Sequence, residues 1–415
     1  MKIVYHGGGF VGFTGAAAFA KAGIDVVVYD VDKSVVEKIN NQEIPVYGVE
    51  EFLRYQPFGH AGRITSTDIW EEVAQEKIHI IAVPTERQGD PVLEIVQEVV
   101  HKIINNREKG TRTILVESTV SPGFTDKTLS KEEWKLATEV GGIYYAICPR
   151  RDWFVDPNDD VETTPRVVGG INEQSTKEAV RVLSKVSKVI HQTGYREAEA
   201  VKAFENAVFY HSITFGFEFT QAYGDKLDAR KVLELQGTHW RLYPLYPSAG
   251  IAGYCVPMGL RYLDGMRMSR EVDFTIETRW RGFVAAQVLA FLEKNHVKRV
   301  LIYGVSEKEK TRVLHFSPTF TLVEKLSKVF PSDEILIADE DYTKEEIAGM
   351  GMTATPVELS EISPEDIGVI VLKKGSYIKK FSADVAEDVF VFDCVNAVPE
   401  FRSRFSDYVL LGEKR

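Results

Sequence analysis

Lys202 and Asn206 stand four residues apart in EAVKAFENA, and Cys255 lies in the glycine- and alanine-rich stretch SAGIAGYCVPMG. Residues i and i+4 of a helix share a face, so a helix here presents an ammonium beside an amide. An ammonium stabilises a developing alkoxide, and an amide orients a hydroxyl or a water. Together they suit removal of a hydride from an alcohol. A cysteine thiolate adds to an aldehyde, and the adduct can lose a second hydride to become a thioester, which water hydrolyses. Each feature also has a plainer reading. Lys202 can be a solvated surface lysine, and Cys255 a buried structural thiol, the commoner fate of a single cysteine.

A hydride needs an acceptor. The first apolar run, KIVYH, ends in GGGFVG, residues 7–12, a G-x-G-x-x-G turn entering a helical pattern. Gly7 permits the tight turn, Gly9 lets the backbone approach a pyrophosphate, and Gly12 allows close helix–strand packing. Phe10 and Val11 complete the motif, at a helix N-terminus that favours negative charge. Asp30, 18 residues after Gly12, closes the second run, DVVVYD. A carboxylate there accepts both ribose hydroxyls and repels a 2′-phosphate, so NAD is the expected cofactor rather than NADP. His6, just before the first glycine, stands where an apolar residue is usual; it reads as a satisfied, partly buried imidazole.

These residues need a frame. KIVYHG, DVVVYD, IHIIAVPT, TILVES and YYAICP are Val- and Ile-rich runs without polar alternation, as strands covered on both faces should be. Helical patterns such as VGFTGAAAFAKAG and PVLEIVQEVVHKII lie between them, which argues for a doubly wound parallel sheet. A second such rhythm starts near residue 298, with VKRVLIYG, EILIAD, IGVIVLKK and VFVFDC as strands and SPTFTLVEKLSKVF as a helix. Between them, REAEAVKAFENAVFYHSITFGFEFTQAYGDKLD has few helix breakers; Gly224 is expected to end that helix, and Asp228 to cap the next, ARKVLELQ. The fold class is therefore α/β, with two Rossmann-like doubly wound parallel-sheet domains joined by a long central helix and a helical middle domain. The expected boundaries are 1–195 for the NAD-binding domain, 196–292 for the helical domain and 293–415 for the C-terminal α/β domain. A long helix bridging two domains commonly supplies a dimer interface, so a homodimer or higher homo-oligomer is expected.

Composition narrows the partners. The 415 residues include 50 basic and 61 acidic ones, a net charge of −11, which argues against non-specific nucleic-acid binding. No run approaches the roughly 18 apolar residues of a membrane span, and the first strand begins at once, so no secretory leader is expected. The only cysteines are Cys148, Cys255 and Cys394, too sparse for a disulfide framework or a zinc site. A reducing cytoplasm and no metal are expected.

Taken in order, the motifs resemble those of the NAD-dependent nucleotide-sugar 6-dehydrogenases: UDP-glucose, GDP-mannose and UDP-N-acetylmannosamine dehydrogenases. GGGFVG resembles their first glycine loop, and AVPT, with Thr85, their second cofactor loop. VESTVSPG, residues 116–123, is similar to their E-S-T-V-x-P-G strand end, which implies a place for Thr119 near the nicotinamide and the reacting carbon. AEAVKAFENA resembles their A-E-x-x-K-x-x-x-N-x helix, and PSAGIAGYCVP their P-S-x-G-x-G-G-x-C-x-P loop. The resemblance thus implies Lys202, Asn206 and Thr119 as catalytic residues beside the nucleophile Cys255, with Ser248, Gly250 and Gly253 against the substrate. YGVSEKEKTRVLHFSP has the outline of the domain that holds the nucleotide, with Arg312 and His315 in its arginine-bearing motif. The same resemblance implies oxidation of the C6 alcohol of a UDP- or GDP-sugar to a carboxylate by two NAD, in polysaccharide biosynthesis, by a dimer built on the central helix.

Four departures fall on chemistry. CPRRDWF puts Arg150 where the family has the glutamate of P-E-F-L, and Met258-Gly259 stands where it has an aspartate after the cysteine. Ala252 replaces a loop glycine, and RVLHFSP replaces D-D-x-R-x-S-P. Loss of two carboxylates strips base capacity from the hydrolytic half. Arg150 either binds an anionic group of an unusual substrate or pairs with Asp152 or Asp156, one of which then replaces the missing acid. Three readings stay open: the full four-electron oxidation on an atypical substrate, a single oxidation to an aldehyde or ketone, and a silent relative that binds NAD or nucleotide.

Overall fold

The computed structural model describes residues 1–106, 110–140, 142–152, 160–306, 308–363, 365, 367–384 and 389–414. The chain divides into two compact units, one of residues 1–205 with 261–265, the other of 206–260 with 266–415. Most of the helical middle falls in the second. Among the described residues no helix is long and apolar enough to cross a membrane.

The first unit is built on eight strands: β1 (Lys2–His6), β2 (Asp25–Tyr29), β3 (Ile64–Thr67), β4 (Ile78–Ile81), β5 (Arg112–Val116), β6 (Ile143–Ile147), β7 (Arg166–Gly170) and β8 (Ile190–Gly194). Their spatial order is β8-β7-β6-β5-β4-β1-β2-β3. Strands β1 to β6 are parallel, as the alternation with helices requires. The expectation of a wholly parallel sheet is corrected at β7, which pairs antiparallel with β6 and carries β8 with it. An antiparallel neighbour needs no crossover helix, so the helical rhythm that announced the other strands is missing there. β8 and β3 escaped notice because they are polar edge strands; β8 is half-buried or exposed along its length. Helix α1 (Phe10–Lys21) buries every residue from Gly12 to Ala20, which explains its run of small side chains, and α2 (Glu94–Asn105) buries only its apolar stripe.

Helix α4 (Tyr195–Tyr223), after α3 (Glu173–Leu183), runs for 29 residues, and the unit boundary falls inside it. Gly224 follows its end, as expected. The second unit holds α5 (Ala229–Gln236), capped by Asp228, whose carboxylate accepts from the Lys231 N–H at 2.9 Å. It also holds most of α6 (Cys255–Tyr262), the 28-residue α7 (Arg267–Lys294) and α8 (Pro318–Leu326), the last capped by Ser317 with proline at its first position. Its sheet is parallel throughout: β9 (Arg299–Tyr303), β10 (Ile335–Ala338), β11 (Thr355–Pro356), β12 (Ile367–Val371), β13 (Val389–Asp393) and β14 (Asp407–Leu410), ordered β11-β10-β9-β12-β13-β14. The two strands missed in the sequence are the edges, β11 being two residues long and ending in proline.

Candidate active site

β1 delivers the chain to Gly7, whose φ of +96° is a left-handed conformation that side chains resist. The Gly7 N–H donates to the Tyr29 carbonyl at 2.9 Å, so the turn is fastened to the end of β2. Asp30, the next residue, is half-buried: its Oδ2 accepts the Gly8 N–H at 2.5 Å and its Oδ1 accepts the Asp32 N–H at 2.9 Å. Two backbone donors thus aim the carboxylate, and lone pairs remain for hydroxyl groups. A Cβ on Gly9 would meet nothing within 4 Å, and one on Gly12 would lie 1.8 Å from the Gly7 carbonyl oxygen. The open face at Gly9 and the closed one at Gly12 are what a pyrophosphate on a helix N-terminus requires, and Phe10 and Val11 form the first turn of α1 behind it. Residues 7–12 and Asp30 therefore fit a dinucleotide. Gly8, whose N–H steers Asp30, was not singled out in the sequence; a glycine at the variable position between Gly7 and Gly9 was its signal.

Beside this turn lies a buried ionic cluster. Glu117, just after β5, pairs with Arg166, accepts from the Tyr5 hydroxyl at 3.3 Å and lies 3.7 Å from Arg150. Arg150 gives Nε and Nη2 to the two oxygens of Asp152, both at 2.6 Å; its Nη1 donates to the Val11 carbonyl at 2.8 Å and its Nη2 also to Thr14 Oγ1 at 3.0 Å. Of the two readings of Arg150, the pairing with Asp152 is the one present, and the guanidinium is tied to the first turns of α1; Asp156 lies outside the described residues. Burial alone would raise the Asp152 pKa, but the Arg150 charge and hydrogen bonds hold it below the carboxylate range. Burial also works against a charged Arg150, and Asp152 and Glu117 overcome it and raise its pKa.

Thr119 is half-buried two residues beyond Glu117. Thr85 is buried against Tyr262: the tyrosine hydroxyl donates to the Thr85 carbonyl at 3.0 Å and accepts from Thr85 Oγ1 at 2.8 Å. Glu199, one turn before the half-buried Lys202 on α4, accepts from the N–H groups of Gly123 and Thr125, both at 2.7 Å. It fixes the turn after Thr119 to the helix that carries Lys202, and burial pushes its carboxyl above the ordinary range. Tyr262 and Glu199 were not proposed from the sequence. Their partners are 177 and about 75 residues away, beyond any local pattern.

In the second unit, Asn206 donates from Nδ2 to the Cys255 carbonyl at 3.1 Å. Cys255 is exposed, whereas Cys148 and Cys394 are buried, which pushes their thiols up. The stretch before Cys255 is held residue by residue. Arg230 donates to the Pro247 carbonyl at 2.9 Å, Trp280 Nε1 to the Ser248 carbonyl at 2.6 Å, and Ser248 Oγ to the Gly250 carbonyl at 3.0 Å. The Gly253 N–H donates to the His315 carbonyl at 2.9 Å, and the His315 ring meets Tyr254 edge-on at 5.2 Å.

Two models of the UDP-glucose/GDP-mannose dehydrogenase family match the chain, the NAD-binding domain over residues 1–188 and the central domain over 196–281. The chain belongs to the UDP-glucose/GDP-mannose dehydrogenase family. The UDP-N-acetyl-D-mannosamine dehydrogenase of Pyrococcus horikoshii is 28% identical over 341 residues, 78% of this chain and 80% of its own. The GDP-mannose 6-dehydrogenase of Pseudomonas syringae is 25% identical over 346 residues, 79% and 78% of the two chains. Among solved structures, the UDP-D-ManNAc dehydrogenase of Pyrococcus horikoshii superposes with a TM-score of 0.81 at 22% identity, over 99% of both chains, a likeness of fold.

Against that family the substitution at Gly259 acquires a physical reason. A Cβ there would lie 2.5 Å from the Ala207 nitrogen and 2.7 Å from the Asn206 carbonyl carbon. In this family member α6 packs on the backbone of α4 so closely that no side chain fits, so the position of the expected aspartate cannot hold a carboxylate. Ala252 is buried. Arg312 pairs with Glu346 and lies over the Tyr342 ring at 4.7 Å.

Proposed function

We propose that this chain oxidises the C6 alcohol of a UDP- or GDP-linked sugar, with Lys202, Asn206, Thr119 and Cys255 as its catalytic residues. NAD, held by residues 7–12 and Asp30, supplies the hydride acceptor. Lys202 stabilises the alkoxide as the alcohol loses its proton. The Cys255 thiolate adds to the resulting aldehyde; further oxidation leaves a thioester, and water releases the uronic acid. Ser248, Gly250, Gly253 and His315 line the substrate, and the segments 1–195, 196–292 and 293–415 carry cofactor, catalytic and nucleotide-binding roles. The hydrogen bond from Asn206 to the Cys255 carbonyl carries the reading, because it joins the lysine–asparagine helix to the cysteine loop. The exposed apolar residues Val208, Phe209, Phe215 and Tyr223 of α4 support the expected homodimer, in a reducing cytoplasm where an exposed thiol persists.

A single oxidation to the aldehyde is the second reading, and the closed packing at Gly259 favours it by removing a hydrolytic base. The NADH formed per nucleotide sugar decides between them. Two per sugar supports the thioester route, and Cys255→Ser should then abolish acid formation. One per sugar, unaffected by that substitution, supports the single oxidation. No NADH with any UDP- or GDP-sugar overturns both.

A further inference from the structure

Two loops of the second unit meet at one helix. The first is 248–254, leading into Cys255. The second is 310–316, where Lys310, Arg312 and Phe316 all adopt left-handed backbone conformations, with φ of 62°, 49° and 56°. Three non-glycine residues in that region within seven positions store strain that must be balanced by neighbours, as happens at ligand sites. The same loop carries the basic side chains of Lys310, Arg312 and His315, suited to phosphate oxygens.

The neighbours that balance it are Arg281 and Glu277, one turn apart on α7. Arg281 Nη2 donates to the Phe316 carbonyl at 2.7 Å and to the Ile251 carbonyl at 2.9 Å, while its Nε pairs with Glu277. Glu277 Oε1 accepts the Ile251 N–H at 3.3 Å. The pair thus grips both backbone groups of Ile251 and one end of the strained loop. Space is matched to this grip: a Cβ on Gly250 would lie 3.1–3.2 Å from the Arg281 guanidinium. The Gly253 N–H on the His315 carbonyl makes a second bond between the same two loops.

We propose that Arg281, with Glu277, is a positioning residue that holds loops 248–254 and 310–316 as one piece, so that a nucleoside diphosphate bound on the second loop sets the presentation of the Cys255 thiol. The role of the thiol and of the second loop rests on the function proposed above; the coupling itself is measured without turnover. Cys255 is the exposed cysteine, so its alkylation by iodoacetamide reports on its loop. In the unaltered protein, millimolar UDP or GDP should change that rate by roughly threefold or more. Arg281→Met should speed alkylation roughly tenfold, since the loop that presents the exposed thiol is no longer held, and abolish the nucleotide effect. Arg281→Lys, which keeps the charge but not the fork, should restore only part of it. Gly250→Ala, which crowds the guanidinium without removing it, should act in the same direction more weakly. In assays with a nucleotide sugar, kcat should fall in Arg281→Met while KM for NAD holds.

A nucleotide-insensitive rate in the unaltered protein overturns the coupling. So does an Arg281→Met protein with unchanged circular dichroism and the original rate and nucleotide response. The expected alkylation pattern without turnover of any nucleotide sugar supports the clamp and removes the dehydrogenase reading instead.

Discussion

The two sheets share one turn and put it to opposite uses. In the first unit Gly7 donates to the Tyr29 carbonyl, Gly8 to Asp30 Oδ2, and Asp32 to Asp30 Oδ1. In the second, Gly304 donates to the Ala338 carbonyl, Val305 to Asp339 Oδ2 at 2.7 Å, and Asp341 to Asp339 Oδ1 at 2.9 Å. Even the left-handed glycine returns, with φ of +96° at Gly7 and +108° at Gly304. Around this common device the side chains diverge. Asp30 is half-buried beside glycines, one of which faces open space. Asp339 is buried, Val305 and Ser306 stand where Gly8 and Gly9 do, and Lys373, fully buried, reaches Asp339 at 2.5 Å and Asp341 at 2.7 Å. A half-buried carboxylate beside an open glycine in one unit has as its counterpart in the other a buried carboxylate paired with a lysine. The turn geometry is therefore common to both, and the residues in and opposite the turn set how open it is.

Lys373→Met tests the shut crevice and should give the largest effect. It leaves two buried carboxylates without their cation, at a cost of about 3–5 kcal/mol. Urea unfolding should show that loss, while KM for NAD in the folded fraction holds. A stable Lys373→Met protein would mean that the triad is solvated and that the contrast between the units is false.

Asp30→Ala tests the open crevice. Stability should change little, and KM for NAD should rise roughly tenfold, equivalent to about 1.4 kcal/mol. Selectivity against NADP should fall as well, since the repelling charge is gone. Val83→Lys sharpens the comparison further. Val83 follows Ala82, whose N–H donates to the His6 carbonyl; Lys373 follows Leu372, whose N–H donates to the Tyr303 carbonyl. A lysine at position 83 thus copies the closing residue into the open unit. It should weaken NADH binding several-fold, read by titration of the reduced cofactor's fluorescence, and an unchanged affinity would show that the ammonium cannot reach Asp30.

This contrast marks how far the sequence could be read. GGGFVG and Asp30 were legible because a dinucleotide turn is a local pattern bounded by a strand and a helix. Lys202, Asn206 and Cys255 stood out as candidates by residue type and spacing, and the link between Asn206 and the cysteine loop is a feature of the folded chain alone. Lys373 passed as the polar end of the strand IGVIVLKK, because its partners Asp339 and Asp341 lie more than 30 residues away. Arg150 was visible as a departure, yet its partner was not decided by type or spacing. Gly259 looked like a lost acid and is a packing contact. Long-range complementarity of this kind leaves no periodic trace, and the same holds for the edge strands β3, β8 and β11, which lack the apolar runs of their buried neighbours.

The residue before the glycine offers the mildest test. Tyr303 stands there in the second unit and His6 in the first, both buried. His6 Nε2 lies 3.0 Å from His79 Nδ1, and His79 Nε2 lies 2.9 Å from the Glu76 carbonyl. The carbonyl needs a proton on His79 Nε2, so His79 Nδ1 accepts and His6 Nε2 donates, a chain that requires a neutral His79; a second proton on His6 would sit on Nδ1, which is buried without a hydrogen-bond partner. Trp70 and Tyr29 enclose His6, and the Lys102 ammonium lies over the Trp70 ring at 4.4 Å. Burial lowers the His79 pKa to about 4 and holds His6 well below its usual value, helped by His79 and Lys102. The unfolded chain protonates both rings near pH 6.5. It therefore binds more protons than the folded chain between about pH 6.5 and 4, so this contribution is complete above pH 6.5 and is lost as the pH falls. The double variant His6→Val, His79→Leu should match the original protein near pH 7.5 to within about 1 kcal/mol. Between pH 6 and 4.5 it should flatten the decline of the urea midpoint, by up to about 1.4 kcal/mol per pH unit for each histidine removed. An unchanged slope would mean that the pair is hydrated and that the first turn rests on its glycines alone.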